Sequence, residues 1–244
     1  MRILAIDTAG EGCSAALLLG ERILTRESVL GRGHAERILP MIDELLAEGG
    51  VALAELSAIA FGRGPGAFTG VRLAASVTQG LAFGAGVPVV PVSDLRAMAQ
   101  RALDHDAAVD RVVVCSDARM HEVYWACFTR APDGRATPVG DERVADPGQV
   151  CLPEDWNSIA RAQARAPGLK ARLCAAGSGF AAYPQLLATV GASAHSILPA
   201  LLPRAREVAT LAAAEVAAGR VFAPEEALPV YLRDDVIRPG PVSP

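Results

Sequence analysis

The stretch Ala58 to Arg72 most constrains the fold, because there the apolar run Ala58-Ile59-Ala60-Phe61 breaks into Gly62-Arg63-Gly64-Pro65-Gly66-Ala67-Phe68-Thr69-Gly70-Val71-Arg72. This predicts a strand, a fixed turn and the start of a helix. Gly62, Gly64, Gly66 and Gly70 permit positive φ and close backbone approach, while Pro65 presets its own φ. A loop feeding a helix N-terminus offers unpaired N–H groups to an anion; the same glycines equally suit a tight strand-to-helix connection. Val71-Arg72 stand where a phosphate-cradling loop needs Lys-Ser or Lys-Thr, so that motif is absent. Gly62, Gly64 and Ala67 fit a loose dinucleotide fingerprint, but no acidic residue closes the following strand, Val87 to Val92.

Around this loop the element order is legible. Strands are expected over Ile3 to Asp7, Cys13 to Leu19 and Arg22 to Ser28, followed by a helix over His34 to Glu48 with apolar residues at helical spacing. Pro40 belongs near the first turn of that helix or at a kink, and Gly49-Gly50 stops it. The strand Leu56 to Phe61, the helix Gly70 to Ala85, the strand Val87 to Val92 and a helix from Ser93 or Asp94 to about Leu103 complete a βββαβαβα series. The second half repeats the order. Strands fall at Arg111 to Ser116, Glu122 to Thr129 and Ala136 to Val144, and a polar helix near Glu154 to Arg165. Then come a strand at Leu169 to Ala175, a turn at Gly177-Ser178-Gly179, a helix at Phe180 to Val190, a strand at His195 to Leu198 and a helix at Arg204 to Ala218. The expected fold is α/β with two lobes, each a mixed sheet flanked by helices. The lobes are placed at 1–104 and 105–222, the last helix being able to pack back on the first lobe, with a Pro-rich tail at 223–244.

Charge and cysteine usage bound the function. A net charge of −4 argues against autonomous binding to nucleic acid, which needs clustered Lys and Arg. Cys13, Cys115, Cys127, Cys151 and Cys174 are scattered and lack metal-site or disulfide spacing, so buried thiols are expected. No apolar run is long enough to span a membrane, and the opening residues lack a signal-peptide core, so a cytoplasmic protein is expected.

Two βββαβαβα halves resemble the ribonuclease-H-like lobes of the actin, sugar kinase and Hsp70 superfamily. That resemblance implies phosphate-binding turns at Asp7 to Gly12 and Asp117 to Met120, and an adenosine-binding glycine turn at Gly177 to Gly179. More specifically, the chain resembles the bacterial TsaB (YeaZ) family, which acts in making threonylcarbamoyladenosine in tRNA. The resemblance rests on Ile3-Leu4-Ala5-Ile6-Asp7-Thr8, His34 through Leu46, Gly64 through Arg72, Asp117-Ala118-Arg119-Met120 with Glu122-Val123-Tyr124, and Pro229-Val230-Tyr231-Leu232-Arg233. It departs from the family at Ala67, where serine is common, so any anion contact by that hydroxyl is lost; Thr69 still offers one.

The resemblance implies a non-catalytic subunit that supports a TsaD-like catalytic partner and a TsaE-like ATPase. Those proteins transfer threonylcarbamoyl from its adenylate to the adenosine beside the anticodon, in tRNAs reading codons that begin with A. The chain itself would require no cofactor, ATP or ADP and Mg entering at the level of the complex, and tRNA would be reached only through it. Candidate nucleotide or anion contacts are Asp7, Gly64, Gly66, Thr69, Arg72, Asp117, Gly177 and Gly179. The candidate partner surface, used by a second copy when the partner is absent, comprises His34, Ile38, Met41, Ile42, Leu45, Ala74, Thr78, Ala82 and Ala85. On the helix Gly70 to Ala85, Leu73, Val77 and Leu81 are expected to pack on the chain's own sheet and the small residues to face a partner; packing of the small stripe inside the lobe is the alternative. Asp7 either orients a phosphate, as its sugar-kinase counterpart does, or closes the turn. Arg63 and Arg72 either neutralise a phosphate or pair with local groups. Tyr124 and Trp125 are expected to pack.

The paired His-x-x-x-His of the TsaD-like subunit is missing, since His34 is followed at the fourth position by Ile38, and no metal site is expected. The rival readings are a small ATP- and Mg-dependent phosphotransferase using Asp7, and a metallopeptidase. Neither finds its full motif, there being no H-E-x-x-H and no G-x-S-x-G.

Overall fold

In the computed structural model, which describes residues 1–156, 172–190 and 194–233, the chain forms two mixed five-stranded sheets of the same topology. The first consists of β1 (Arg2–Asp7), β2 (Gly12–Leu19), β3 (Arg22–Val29), β4 (Ala58–Gly62) and β5 (Val89–Val92), in the order β3-β2-β1-β4-β5. The second consists of β6 (Arg111–Asp117), β7 (Val123–Arg130), β8 (Ala136–Ala145), β9 (Leu173–Ala176) and β10 (Ala194–Leu198), in the order β10-β9-β6-β7-β8. In each, the first three strands are antiparallel, with Asp7 opposite Ser14 and Asp117 opposite Val123, and the last two join in parallel. Burial on both faces explains why β1 and β4 read as continuous apolar runs.

Helices α1 (His34–Gly49) and α2 (Phe68–Ala85) cover one face of the first sheet, packing Ile38, Met41, Ile42 and Leu45 with Ala74 and Ala82 onto Leu4, Ile6, Leu17, Ile59 and Phe61. The opposite face, built from Ile3, Ala5, Ala16, Ala58, Ala60, Val90 and Val92, is covered chiefly by α6 (Ala205–Ala217), the last described helix, through Val208, Ala209, Leu211 and Ala212. Helix α3 (Asp94–His105) crosses to the second sheet, where Leu95, Met98, Ala99, Ala102 and Leu103 meet Val112, Val114, Ala126 and Phe128. Each sheet therefore borrows a helix from the other half of the sequence.

Several boundaries differ from expectation, β4 starting at Ala58 and β5 at Val89, each two residues late. Helix α2 begins at Phe68, two residues early, because Ala67 serves as its N-cap. Pro184, which cannot continue a helical hydrogen-bond ladder, divides the expected helix 180–190 into α4 (Gly179–Ala182) and α5 (Gln185–Val190). Strand β9 begins at Leu173; the expected helix near Glu154 to Arg165 is helical over 154–156 and otherwise lies outside the described residues, as do 169–171. Pro40 sits within α1 on its exposed side, beyond the first turn.

The expected partner stripe needs correction. Ile38, Met41, Ile42, Leu45, Ala74, Thr78 and Ala82 are buried in the chain's own core, and Ala85 packs against it half-buried. Leu73, Val77 and Leu81 lie on the half-buried flanks instead. The cause is the close seating of α2. A Cβ on Gly70 would overlap Thr8 O, and Ala74, Thr78 and Ala82 follow at four-residue steps, so small side chains form the face nearest the sheet.

Candidate functional site

The candidate site gathers where β1 ends, β4 enters the glycine loop and α3 begins. Asp7 and Asp94 are each only 1% exposed. Asp7 Oδ1 accepts the Ala9 N–H at 3.1 Å, and Asp94 Oδ2 accepts the Gly64 N–H. Their remaining oxygens, Asp7 Oδ2 and Asp94 Oδ1, have no other protein donor and converge on Gly62, where a Cβ would collide with both. Gly62 is thus a space requirement of the carboxyl pair. Two carboxylates in contact inside a protein cannot both be ionised, so the pair holds one proton between them. Burial, then the charge of and hydrogen bond with Asp7, hold Asp94 well above the usual carboxylate range. Burial also raises Asp7, offset by hydrogen bonds from Asp94 and Ala9 and by the nearby His34. The upward shift is the stronger at Asp94.

The glycine loop is spent on the fold. Arg63 N–H donates to Val92 O at 2.8 Å, Ala67 N–H to Ala9 O at 2.7 Å, and Thr8 Oγ1 to Gly70 O at 2.7 Å. A Cβ on Gly66 would lie 2.5 Å from Ala9 O, so loop and β1–β2 turn meet backbone to backbone. Gly64, with φ of +99°, is where the left-handed conformation itself demands glycine. The arginines that flank the loop are also engaged. Arg63 pairs with Glu142 of β8 at 3.0 Å; Arg72 lies 3.3 Å from the Phe68 ring centroid and donates from Nε to the Tyr231 hydroxyl at 2.7 Å. Thr69 is exposed in the first turn of α2.

The second sheet supplies an equivalent turn with its own partners. Asp117 Oδ1 accepts from the Arg119 N–H at 2.8 Å and from the Tyr183 hydroxyl at 3.0 Å, while Ser178 Oγ accepts the Asp117 N–H at 3.0 Å. Gly177 and Gly179 lie against Cys115 O, which a Cβ at Gly179 would approach to 2.8 Å. These glycines permit close packing of α4 on β6. His34 Nε2 lies 3.1 Å from Gly10 O, capping the β1–β2 turn from α1. Among the described residues no group of His, Cys, Asp and Glu is arranged to hold a metal. All five cysteines are unpaired, four of them buried; burial pushes Cys13 up to about 11 and Cys127 to about 12. Tyr124 and Trp125 pack in the second lobe, as expected.

The structure brings Asp7, Gly62, Gly64 and His34 to one place and leaves Asp117, Gly177 and Gly179 on the other sheet. Asp94 was not among the sequence candidates. The sequence placed it only at the start of a helix beginning at Ser93 or Asp94, where the structure has the Ser93 hydroxyl accept from the Arg96 N–H at 3.1 Å, and no local spacing ties it to Asp7.

Fold and site together define a two-lobed, actin-like α/β protein whose turns are knitted into the scaffold. A family model described as TsaD, tRNA N6-adenosine threonylcarbamoyltransferase, matches residues 19–238. The tRNA threonylcarbamoyladenosine biosynthesis protein TsaB of Escherichia coli (strain K12) is 39% identical over 239 residues, covering 97% of this chain and 96% of that protein. Its namesake from Haemophilus influenzae is 40% identical over 243 residues, covering 97% and 95%. The structure described as YeaZ from Pseudomonas aeruginosa superposes with a TM-score of 0.82 at 42% identity, covering 95% of this chain and 99% of that one. The chain belongs to the TsaB (YeaZ) family of tRNA threonylcarbamoyladenosine biosynthesis proteins.

Proposed function

We propose that this chain is a non-catalytic subunit of the assembly that places threonylcarbamoyl on the adenosine beside the anticodon, in tRNAs reading codons that begin with A. It works in the cytoplasm with a TsaD-like catalytic subunit and a TsaE-like ATPase. The carrying observation is the enclosure of Asp7: Oδ1 accepts the Ala9 N–H, Oδ2 faces Asp94 Oδ1 across Gly62, and the side chain is closed to solvent. A phosphotransferase using Asp7 would need that carboxylate at a substrate. ATP, ADP and Mg belong to the complex, and with a net charge of −4 the chain meets tRNA there rather than alone.

Since the inward faces of α1 and α2 are consumed by the core, their outward faces are the surface offered to the catalytic subunit, or to a second copy in its absence. Leu39, Phe68 and Phe83 are exposed on them. Ser76, Gly80 and Gly84 form an exposed small-residue row at four-residue steps, and nothing lies within 4 Å of a Cβ built on Gly80 or Gly84. Such a row lets a second helix approach closely. The test is a reconstituted transfer assay with each component omitted in turn, repeated with Gly80→Arg. The reading expects no transfer by this chain alone and loss of both association and assembly activity in a folded Gly80→Arg protein. Transfer without the TsaD-like partner, or normal association of Gly80→Arg, would overturn it.

A further inference from the structure

The described C-terminal residues 222–233 run from the first sheet to the second. Phe222 exchanges backbone hydrogen bonds with Val89 at the edge of β5, and Ala227 is buried in the core beneath α1 and α2. Beyond this anchor, Val230 N–H donates to Arg63 O at 2.7 Å, and Val230 O lies so close to Gly64 that a Cβ there would come within 2.9 Å. Tyr231 then accepts from Arg72 and lies 5.9 Å, centroid to centroid, from Phe68. Arg233 reaches the β6–β7 turn, where Nη2 donates to Ala118 O at 3.1 Å and to the Glu122 carboxylate, and Nη1 lies 3.4 Å from Met120 Sδ. That turn holds Arg119, Met120 and His121 at φ of 62°, 54° and 59°, a left-handed run that side-chain-bearing residues rarely adopt. Arg233, a tail residue, braces the turn from outside, alongside Tyr183, whose hydroxyl donates to Asp117 Oδ1.

We propose that residues 230–233 form an interlobe latch that makes the glycine loop and the 118–122 turn open and close as one unit. A single hydrogen bond at a surface contributes little by itself, somewhat more when charged. Here the grips lie in series on Val230, Tyr231 and Arg233, three of four consecutive residues, so each one made holds the next near its partner at high effective concentration. Loss of the last grip loosens the turn directly and the glycine loop through the strap. By linkage, loss of the Tyr231 grip loosens the turn as well. The latch also sets whether the N-terminus of α2 presents Phe68, Arg72 and Tyr231 as one ordered surface.

Amide hydrogen exchange on the full chain tests this, comparing the native protein with Arg233→Glu, the charge-swapped Glu122→Arg/Arg233→Glu pair, and Tyr231→Phe, which removes one hydroxyl. Circular dichroism confirms the fold of each. In Arg233→Glu, exchange should quicken about tenfold or more both at 118–122 and at 63–72, with α6 unchanged. The swapped pair should recover at least half of that loss on a logarithmic scale, and Tyr231→Phe should quicken exchange at 118–122 as well as at 63–72. Changes confined to the segment that carries each substitution, or no recovery in the swapped pair, would overturn the proposal.

Discussion

At the residue scale, the proton between Asp7 and Asp94 gives stability a particular pH dependence. The folded pKa of Asp94 is raised above its unfolded value, so the folded state binds more protons than the unfolded one above the ordinary carboxylate range. Its contribution is fully present at acid pH and is lost as pH rises through the folded pKa. Asp94→Asn keeps an acceptor for the Gly64 N–H and supplies an amide N–H to Asp7 Oδ2, copying the proton permanently. Urea unfolding at a series of pH values should show a flatter decline toward alkaline pH in the variant; an identical slope would remove the shared proton. A second prediction concerns Ala67, the N-cap of α2, with φ of −61°, ψ of 126° and no side-chain cap. Ala67→Ser should raise stability by about 1 kcal/mol in thermal melts, since serine caps the first turn. Thr78 Oγ1 is buried with no partner, so isosteric Thr78→Val should leave stability unchanged or raise it by about 1 kcal/mol.

At the scale of the element, α2 reverses a sequence expectation and shows why. Hydrophobic size suggested that Leu73, Val77 and Leu81 would face the sheet, but backbone proximity at Gly70 sets the helix height and leaves room only for Ala74, Thr78 and Ala82. Ala74→Glu should therefore unfold the protein or lower its melting temperature steeply, rather than yield a folded monomer, because it buries an unpaired charge. A folded Ala74→Glu protein would contradict this seating of α2. Gly66→Val should also destabilise, its branched side chain meeting Ala9 O and Cβ. The order of elements along the chain, the β-hairpins and the loop-to-helix switch were legible in the sequence, because alternation, glycine and proline act locally. The Asp7–Asp94 pair and the tail contacts were not, since they join residues far apart in the chain and leave no periodic trace. The turns at Asp7 and Asp117 were legible, but the local partners of their carboxyls, Ala9 and Asp94 for one and Arg119 and Tyr183 for the other, were not.

At the scale of the whole molecule, the exchange of α3 and α6 between sheets means that neither lobe has a complete core by itself. Calorimetry should record one unfolding transition rather than two, and Leu211→Ala, on α6, should cost about 2–5 kcal/mol while weakening protection of β1 and β4 in the opposite half of the sequence. Two resolved transitions would contradict the shared core. The same exchange governs the order in which the protein can be completed as it is made. When Val92 leaves the ribosome, the face of the first sheet bearing Ile3, Ala5, Ala58 and Ala60 has its strands but not its principal cover, Val208 to Ala212. At the usual pace of translation that face waits roughly ten seconds for α6 to be synthesised. During that interval the nascent chain displays an apolar sheet surface, a natural place for a chaperone to bind, and slowing of translation late in the message would lengthen the exposure.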